Sequence, residues 1–395
     1  MALGKKDWFN LNPKSVYLTH GTFGASLKSA LDNKIEWQKK LESDPFDFLI
    51  NEAPKELANS RNHLAKYINC NGDDLVYFPN PSTALNAVIK SLNLKKNDEV
   101  LTTNHEYGAL DRTWKYYSNF KGYNYKKVKI EVPYNDKSIF IKKFESAINT
   151  NTKVIYLSHI TSSTGLIFPV KEICEIAKNN NILSIVDGAH VPGHINLDIN
   201  DIDSDVYVGA CHKWMCSPKG ASFLYAKKSF QDTIDPLVIS WGWESDIPSN
   251  SRFLDYHQHQ GTNDISSYLT IPHILSFFKN NEWNKVNIDC HKLLIQTKDM
   301  LKDINIDFLS CSDNEKHLGQ MLSFRINAQS KLVRNILSHP SRIIQAQNNI
   351  FQYNGIRIPI IIWDNNLYMR VSIQAYNKQS DIIKLIEMIK YFNLL

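Results

Sequence analysis

The chain has 395 residues, 43% hydrophobic and 22% charged, with 15 Gly and 14 Pro, a globular composition that excludes disordered, collagen-like and coiled-coil readings. Its 45 basic and 40 acidic side chains leave a net charge of +5, too weak a field to capture a polyanion, so nucleic acid is not an expected partner. The length suits two or three folding units whose cores need no disulfide or metal staple.

The cysteines Cys70, Cys174, Cys211, Cys216, Cys290 and Cys311 are sparse and form no CxxC pair, so they read as reduced thiols rather than a zinc or redox centre. No apolar run follows the amino-terminal lysines, so no secretory signal is expected. The longest late apolar run, 358–363, falls far short of the ~20 residues of a membrane helix. The expectation is a cytoplasmic protein without membrane contact.

A short strand over 16–18 precedes helix-favouring residues from 26 to about 41. Leu57, Leu64, Tyr67 and Ile68 recur at helical spacing, as do Leu85, Val88, Ile89 and Leu92, which predict a helix over 83–92 entered from Pro79-Asn80-Pro81-Ser82. Strands follow at 99–103, 128–132 and 153–158. Pro169 opens a helix over 170–179, and strands return at 182–186, 205–208 and 221–225. Strands spaced by helices imply a mostly parallel sheet covered on both faces.

Beyond about residue 270 a long helical region leads to strands at 321–325 and 367–373. A closing helix has Ser380 as its cap, Asp381 in its first turn, and Ile382, Leu385, Ile386 and Ile389 on one face. This divides the chain into a large α/β domain over 26–270, a smaller α+β domain over 271–395, and a segment 1–25 associated with the small domain.

Ligands of open α/β sheets sit at the carboxyl ends of strands, and here those ends carry Asp187-Gly-Ala-His190, His159-Ile-Thr-Ser162 and Ala210-Cys-His-Lys213. A carboxylate after a buried strand needs a cation or donor to offset its desolvation. A lysine 26 residues further on, about one βαβ step away, is desolvated, and its amine becomes nucleophilic toward an aldehyde. Alone, each is an ordinary cap or surface group; together they suggest pyridoxal 5′-phosphate (PLP), whose aldehyde a lysine holds as an imine and whose ring nitrogen an aspartate keeps protonated.

The segments Tyr17-Leu-Thr-His-Gly-Thr-Phe-Gly24, Ser158-His-Ile-Thr-Ser-Ser-Thr-Gly165, Asp187-Gly-Ala-His190, Cys211-His-Lys213 and Arg370-Val-Ser372 resemble the class V aminotransferase family of PLP enzymes, and most of all its isopenicillin N epimerase-like branch. The resemblance spans nearly the whole chain. It implies a PLP-dependent transferase of fold type I: a mostly parallel seven-stranded sheet flanked by helices, with a smaller carboxyl-terminal α+β domain. It makes Lys213 the catalytic Schiff-base lysine and Asp187 the partner of the pyridine nitrogen. His190 and Ser162 fall near the phenolic oxygen and Tyr107 over the ring, with His105 as the alternative. Asn80, Ser82, Thr83 and His212 surround the phosphate. Arg370 grips the substrate carboxylate, and His20 is placed with it at the substrate. The family has serine or asparagine where this chain has Ala210, so one phosphate donor is missing. Thr262, in Gln260-Gly-Thr-Asn-Asp264, matches a loop that reaches the phosphate of a neighbouring subunit, which implies a homodimer.

The pair His190/His194 and the triplet His257-Gln-His259 are not read as metal sites, since Pro192 and Gly193 break the first spacing and the second is too small. Trp241-Gly-Trp243 reads equally as a pocket wall or as core. A persulfide-forming desulfurase needs a cysteine shortly before the carboxylate-binding arginine, and none lies between Cys311 and Arg370. The expected activity is at the alpha or beta carbon of an amino acid or amino-acid-derived metabolite, as epimerase or C–S lyase. Transamination, desulfurase-like chemistry and a non-catalytic binding or sulfur-carrier scaffold are the alternatives.

Overall fold

The computed structural model of the chain describes residues 3–306, 315–326, 330–392 and 394. Its centre is a seven-stranded sheet of β1 (Leu75–Phe78), β2 (Glu99–Thr103), β3 (Asn124–Val128), β4 (Thr152–Ser158), β5 (Leu183–Gly188), β6 (Val206–Ala210) and β7 (Ser222–Ala226), in the order β1-β7-β6-β5-β4-β2-β3. Strands β2 to β6 pair in parallel, while β7 runs antiparallel to both of its neighbours, β1 and β6. The mostly parallel sheet is as expected.

Alternation along the strands divides the core. Val76, Val154, Ile185, Val208 and Leu224 pack on one face; Leu75, Ile155, Val186, Tyr207 and Phe223 pack on the other. Helix α1 (Lys28–Ser43) matches the predicted 26–41 to within two residues at each end. Helices α2 (Ala53–Ile68), α3 (Pro81–Ser91), α4 (Gly108–Lys121) and α5 (Val170–Asn179) cover the sheet, α3 and α4 on the first face, α2 and α5 on the second.

The edge strand differs from expectation. The alternating run 128–132 is not the strand; β3 ends at Val128, and its exposed Lys126 and Lys127 suit a sheet edge. The next residues leave the ladder because Ile130 donates its N–H to Asn104 Oδ1 (2.8 Å) and accepts from His105 Nε2 (2.9 Å).

After the long helix α6 (Trp283–Lys302), strands β8 (Met321–Arg325), β9 (Ile360–Trp363) and β10 (Asn366–Ser372) form an antiparallel sheet ordered β9-β10-β8. The apolar run at 358–363 therefore contributes a strand. Helix α7 (Gln379–Tyr391) starts earlier than predicted: its cap is Lys378, Ser380 lies inside it, and the Asp381 carboxylate accepts the Lys378 N–H (3.2 Å). The amino-terminal segment runs beside these late elements: Val16–Tyr17 pairs in parallel with Ile356–Arg357, and Ser372 donates its N–H to the Leu18 carbonyl. Among the described residues no helix is long and apolar enough to cross a membrane.

Candidate active site

A cavity of about 390 Å³ opens at the carboxyl ends of β4, β5 and β6, where Ser158, Asp187 and Lys213 line it beneath Ser82 and Tyr107. Asp187 stands at the end of β5. Its Oδ1 accepts the Ala189 N–H (3.0 Å) and its Oδ2 the Tyr156 hydroxyl (3.3 Å). Burial pushes its pKa up, while the Ala189 N–H, the Lys213 charge and Tyr156 hold it down. Asp187 and Lys213 face the same cavity without pairing with each other, so the space between amine and carboxylate is open to a ligand.

Lys213 is half-buried, and desolvation together with Arg370 lowers its pKa to about 8 against the pull of Asp187. Its Nζ lies 3.3 Å from His190 Nε2. The Trp214 indole N–H can only donate, and it points at His190 Nδ1 (3.3 Å). The neutral imidazole therefore carries its proton on Nε2, facing the lysine nitrogen, which can accept it only as a free amine. Burial and the Lys213 charge keep His190 well below its usual pKa.

The lysine's backbone is clamped from the amino-terminal segment. Gly24 sits at φ +71°, and a Cβ there would meet the His212 carbonyl oxygen at 2.3 Å and Lys213 Cα at 2.8 Å, so glycine is required twice over. His20 accepts the Ala25 N–H at Nδ1 (3.2 Å), which leaves Nε2–H to donate to the Lys213 carbonyl (3.1 Å). His20 is fully buried and does not line the cavity. The structure does not bring it to the place expected for substrate; it supports the lysine loop instead.

At the opposite end, α3 begins at Pro81 with Asn80 as its cap, two residues ahead of the predicted start. Asn80 Oδ1 accepts from both the N–H (2.9 Å) and the hydroxyl (3.0 Å) of Thr83. Asn80 and Ser82 line the cavity; Thr83, tied to the cap, does not. His212 lines it with Nδ1 held at 2.8 Å from the Ala221 carbonyl, and burial lowers its pKa to about 4. A helix amino terminus beside a neutral histidine suits an anion.

Tyr107 caps α4 and lines the cavity, 45% exposed. His105 is turned away, between Thr164 Oγ1 (2.9 Å) and the Ile130 carbonyl (2.9 Å), so the geometry favours Tyr107 over it. Ser162 and Arg370 meet at the far wall. Arg370 Nη1 donates to the carbonyl and hydroxyl of Ser162, and Nη2 to Thr22 Oγ1 (2.9 Å). The guanidinium is 2% exposed, burial lowers its pKa to about 10, and its Nε has no partner. No described carboxylate pairs with it.

Two groups lie elsewhere. Thr262 is on the surface near Gln38 and Leu49, outside this chain's own cavity. Trp241 and Trp243 are exposed, 81% and 43%, so they are neither core nor cavity wall. Of the cysteines, the five described ones do not line the cavity, and Cys311 lies outside the described residues.

One buried carboxylate was not anticipated. Glu106 accepts from Thr103 Oγ1 (2.6 Å) and from the N–H (2.9 Å) and hydroxyl (2.7 Å) of Ser158, and desolvation raises its pKa to about 7 despite these bonds. It lies three residues past the end of β2, near the same edge of the sheet at which Asp187 ends β5.

A lysine whose pKa is lowered to about 8, a separate buried carboxylate, an anion-binding helix end and a guanidinium without a carboxylate partner fit an aldehyde, a basic ring nitrogen, a phosphate and a carboxylate in one ligand assembly. The aminotransferase class V family model matches residues 47–385, and the chain belongs to that family of PLP-dependent enzymes. It is 28% identical to an isopenicillin N epimerase of Streptomyces clavuligerus over 326 residues, 80% of this chain and 82% of that protein. Identity to a hercynylcysteine sulfoxide lyase of Schizosaccharomyces pombe is 23%, covering 98% and 96% of the two chains. The solved complex of the cystine C–S lyase C-DES with cysteine persulfide superposes with a TM-score of 0.80 at 19% identity, covering 97% of this chain and 98% of that one. The fold is that of the type I PLP enzymes.

Proposed function

We propose that the chain is a PLP-dependent enzyme that acts at the alpha and beta carbons of an amino acid or amino-acid-derived metabolite, with elimination across a C–S bond as its principal outcome. The observation that carries this reading is the half-buried, pKa-lowered Lys213 amine facing, but not paired with, buried Asp187 across one cavity. When bound, PLP supplies an aldehyde that captures amines and an electron-withdrawing ring that stabilises negative charge at the neighbouring carbon.

Lys213 supplies the capturing amine and then carries the alpha proton. His190, fixed by Trp214, orients that amine and with Ser162 offers donors to the phenolic oxygen. Asp187 keeps the ring nitrogen protonated, Tyr107 covers the ring, and Asn80, Ser82 and His212 bind the phosphate. Arg370 pairs with the substrate carboxylate, which relieves an otherwise uncompensated buried charge. Thr262, exposed and outside its own cavity, reaches the site of a second copy, so the active unit is a homodimer. The large domain over 26–270 holds the cofactor, and the segment 1–25 acts with the small domain over 271–395. The location is the cytoplasm.

Elimination needs one proton-transferring group, and Lys213 is the lysine lining the cavity. A second reading, inversion at the alpha carbon, needs another such group. Tyr107, half-exposed and at the cavity wall, is its candidate. Incubation with sulfur-containing and other amino acids in deuterated water tests both. A keto acid released with a sulfur product supports elimination; recovered amino acid of inverted configuration labelled at the alpha carbon supports inversion; neither product with any candidate overturns the activity.

A further inference from the structure

Phe23 ends the one-turn helix His20–Phe23 and lines the cavity with its ring 67% exposed. A single exposed ring is ordinary on a protein surface, but this one is held in place beside the arginine. Thr22, the residue before it, accepts from Arg370 Nη2 (2.9 Å) and shares a hydrogen bond with Thr19 Oγ1 (2.7 Å). Gly24, the residue after it, lies against the backbone of His212 and Lys213 and donates its N–H to the His20 carbonyl (2.7 Å). The backbone that carries Phe23 is thus fixed on one side to the group that would hold the substrate carboxylate and on the other to the lysine loop.

The rest of the lining decides what such a ring can meet. Its charged side chains are Asp187, Lys213 and Arg370, and all three already have a task. Burial keeps His190 and His212 neutral. Among the described residues, then, the lining leaves no cation to pair with a second anionic group on the substrate. Phe23 and Tyr107 are the large apolar side chains of the lining that remain exposed. A substrate held through its carboxylate and its amine keeps only its side chain for other contacts. An apolar side chain laid on an exposed ring takes both surfaces out of water, whereas an anionic one would lose hydration and find no partner.

We infer that Phe23 is a specificity-determining residue of this cavity: its ring packs against the beta substituent of the substrate and selects amino acids with a long uncharged substituent, such as a thioether, over those that end in a second carboxylate. The inference rests on the proposed PLP chemistry and narrows its substrate class.

The test uses the holoenzyme and amino acids without a beta leaving group, so that affinity is read from the change in the visible absorbance band rather than from turnover. The probes are alanine, norleucine and 2-aminoadipate, which matches norleucine in length but ends in a carboxylate. Wild type is expected to bind norleucine about tenfold or more tightly than either of the others. Phe23→Ala weakens norleucine about tenfold, the worth of one apolar contact in a substrate pocket, and leaves alanine affinity the same. Phe23→Leu, which keeps an apolar side chain, retains most of the norleucine affinity. Equal norleucine affinity in wild type and Phe23→Ala overturns the assignment, as does an equal loss for alanine or a wild-type band that norleucine does not perturb. Binding of 2-aminoadipate as tight as that of norleucine overturns the substrate class. A Phe23→Ala protein that changes oligomeric state while its norleucine affinity holds makes the ring a subunit contact and overturns the assignment too. A wild-type protein that shows no visible band after addition of PLP overturns the cofactor reading itself.

Discussion

On the wall of the cavity built from strand ends, Asp187, His190, His212 and Lys213 each meet a protein group that fixes them. On the wall formed by β10 and the amino-terminal segment, buried Arg370 is held through both Nη atoms by Ser162 and Thr22 but keeps an unpaired Nε and no carboxylate beside it. A resident cofactor rewards the first arrangement, since donors held in advance need no reorganisation when it binds. A substrate that comes and goes rewards the second: a buried cation gains most from an anion that arrives with the reactant and leaves with the product.

Disabling each wall in turn should produce different losses. Lys213→Ala is expected to remove the borohydride-bleachable visible band and to lower turnover by about 10³-fold or more; an undiminished rate would place the amine elsewhere. Arg370→Gln should leave that band intact but cut kcat/KM by about 10²-fold, the cost of removing one partner of a buried charge pair. Binding of an amine analogue without the carboxylate should be unaffected, and a parallel loss with the analogue would move the arginine out of the substrate site.

The pH dependence follows from the first wall. Lys213 must lose a proton to capture an aldehyde, so cofactor uptake by stripped protein should rise with pH around a midpoint of about 8 rather than the ordinary 10.5. Stability has its own window. Buried His20 and His194 titrate near 3, and His105 and His159 near 4, all through desolvation from an ordinary 6.5. The unfolded chain therefore binds more protons as pH falls through 6.5 toward 4, and the unfolding midpoint should drop there. A midpoint flat between pH 7 and 5 would show these rings to be charged in the fold. The smallest effect expected is from Tyr107→Phe, about threefold or less on elimination if the ring only covers the cofactor. A collapse of inversion with elimination preserved would instead make its hydroxyl the second proton carrier.

Legibility in the sequence followed burial. Strands flanked by helices were readable because both faces are covered and the apolar runs are continuous, and Asp187 and Lys213 stood out as charges where such runs stop. The edge at 124–128 was not, since Asn124, Lys126 and Lys127 carry no apolar signal and the better alternation lies just beyond. Strand β1 was missed because four residues next to Pro79 give too short a pattern. At α3 the run Asn80-Pro-Ser-Thr83 offers three capping groups, and only geometry shows that Asn80 takes the role. His20 lies in a segment that marks the family, yet its work is on a backbone carbonyl 193 residues away, a contact that local pattern cannot encode.

That contact ties the chemistry to both ends of the polypeptide. His20 and Gly24 brace the lysine loop from the front, residues 16–18 just before them pair with residues 356, 357 and 372, and Arg370 lines the same cavity. During synthesis the nucleophile emerges from the ribosome long before the strands that hold its brace. A nascent chain halted after residue 300 would carry every group proposed for the cofactor ring yet lack the frame that aligns them, so vitamin B6 capture should be a late event in the protein's maturation.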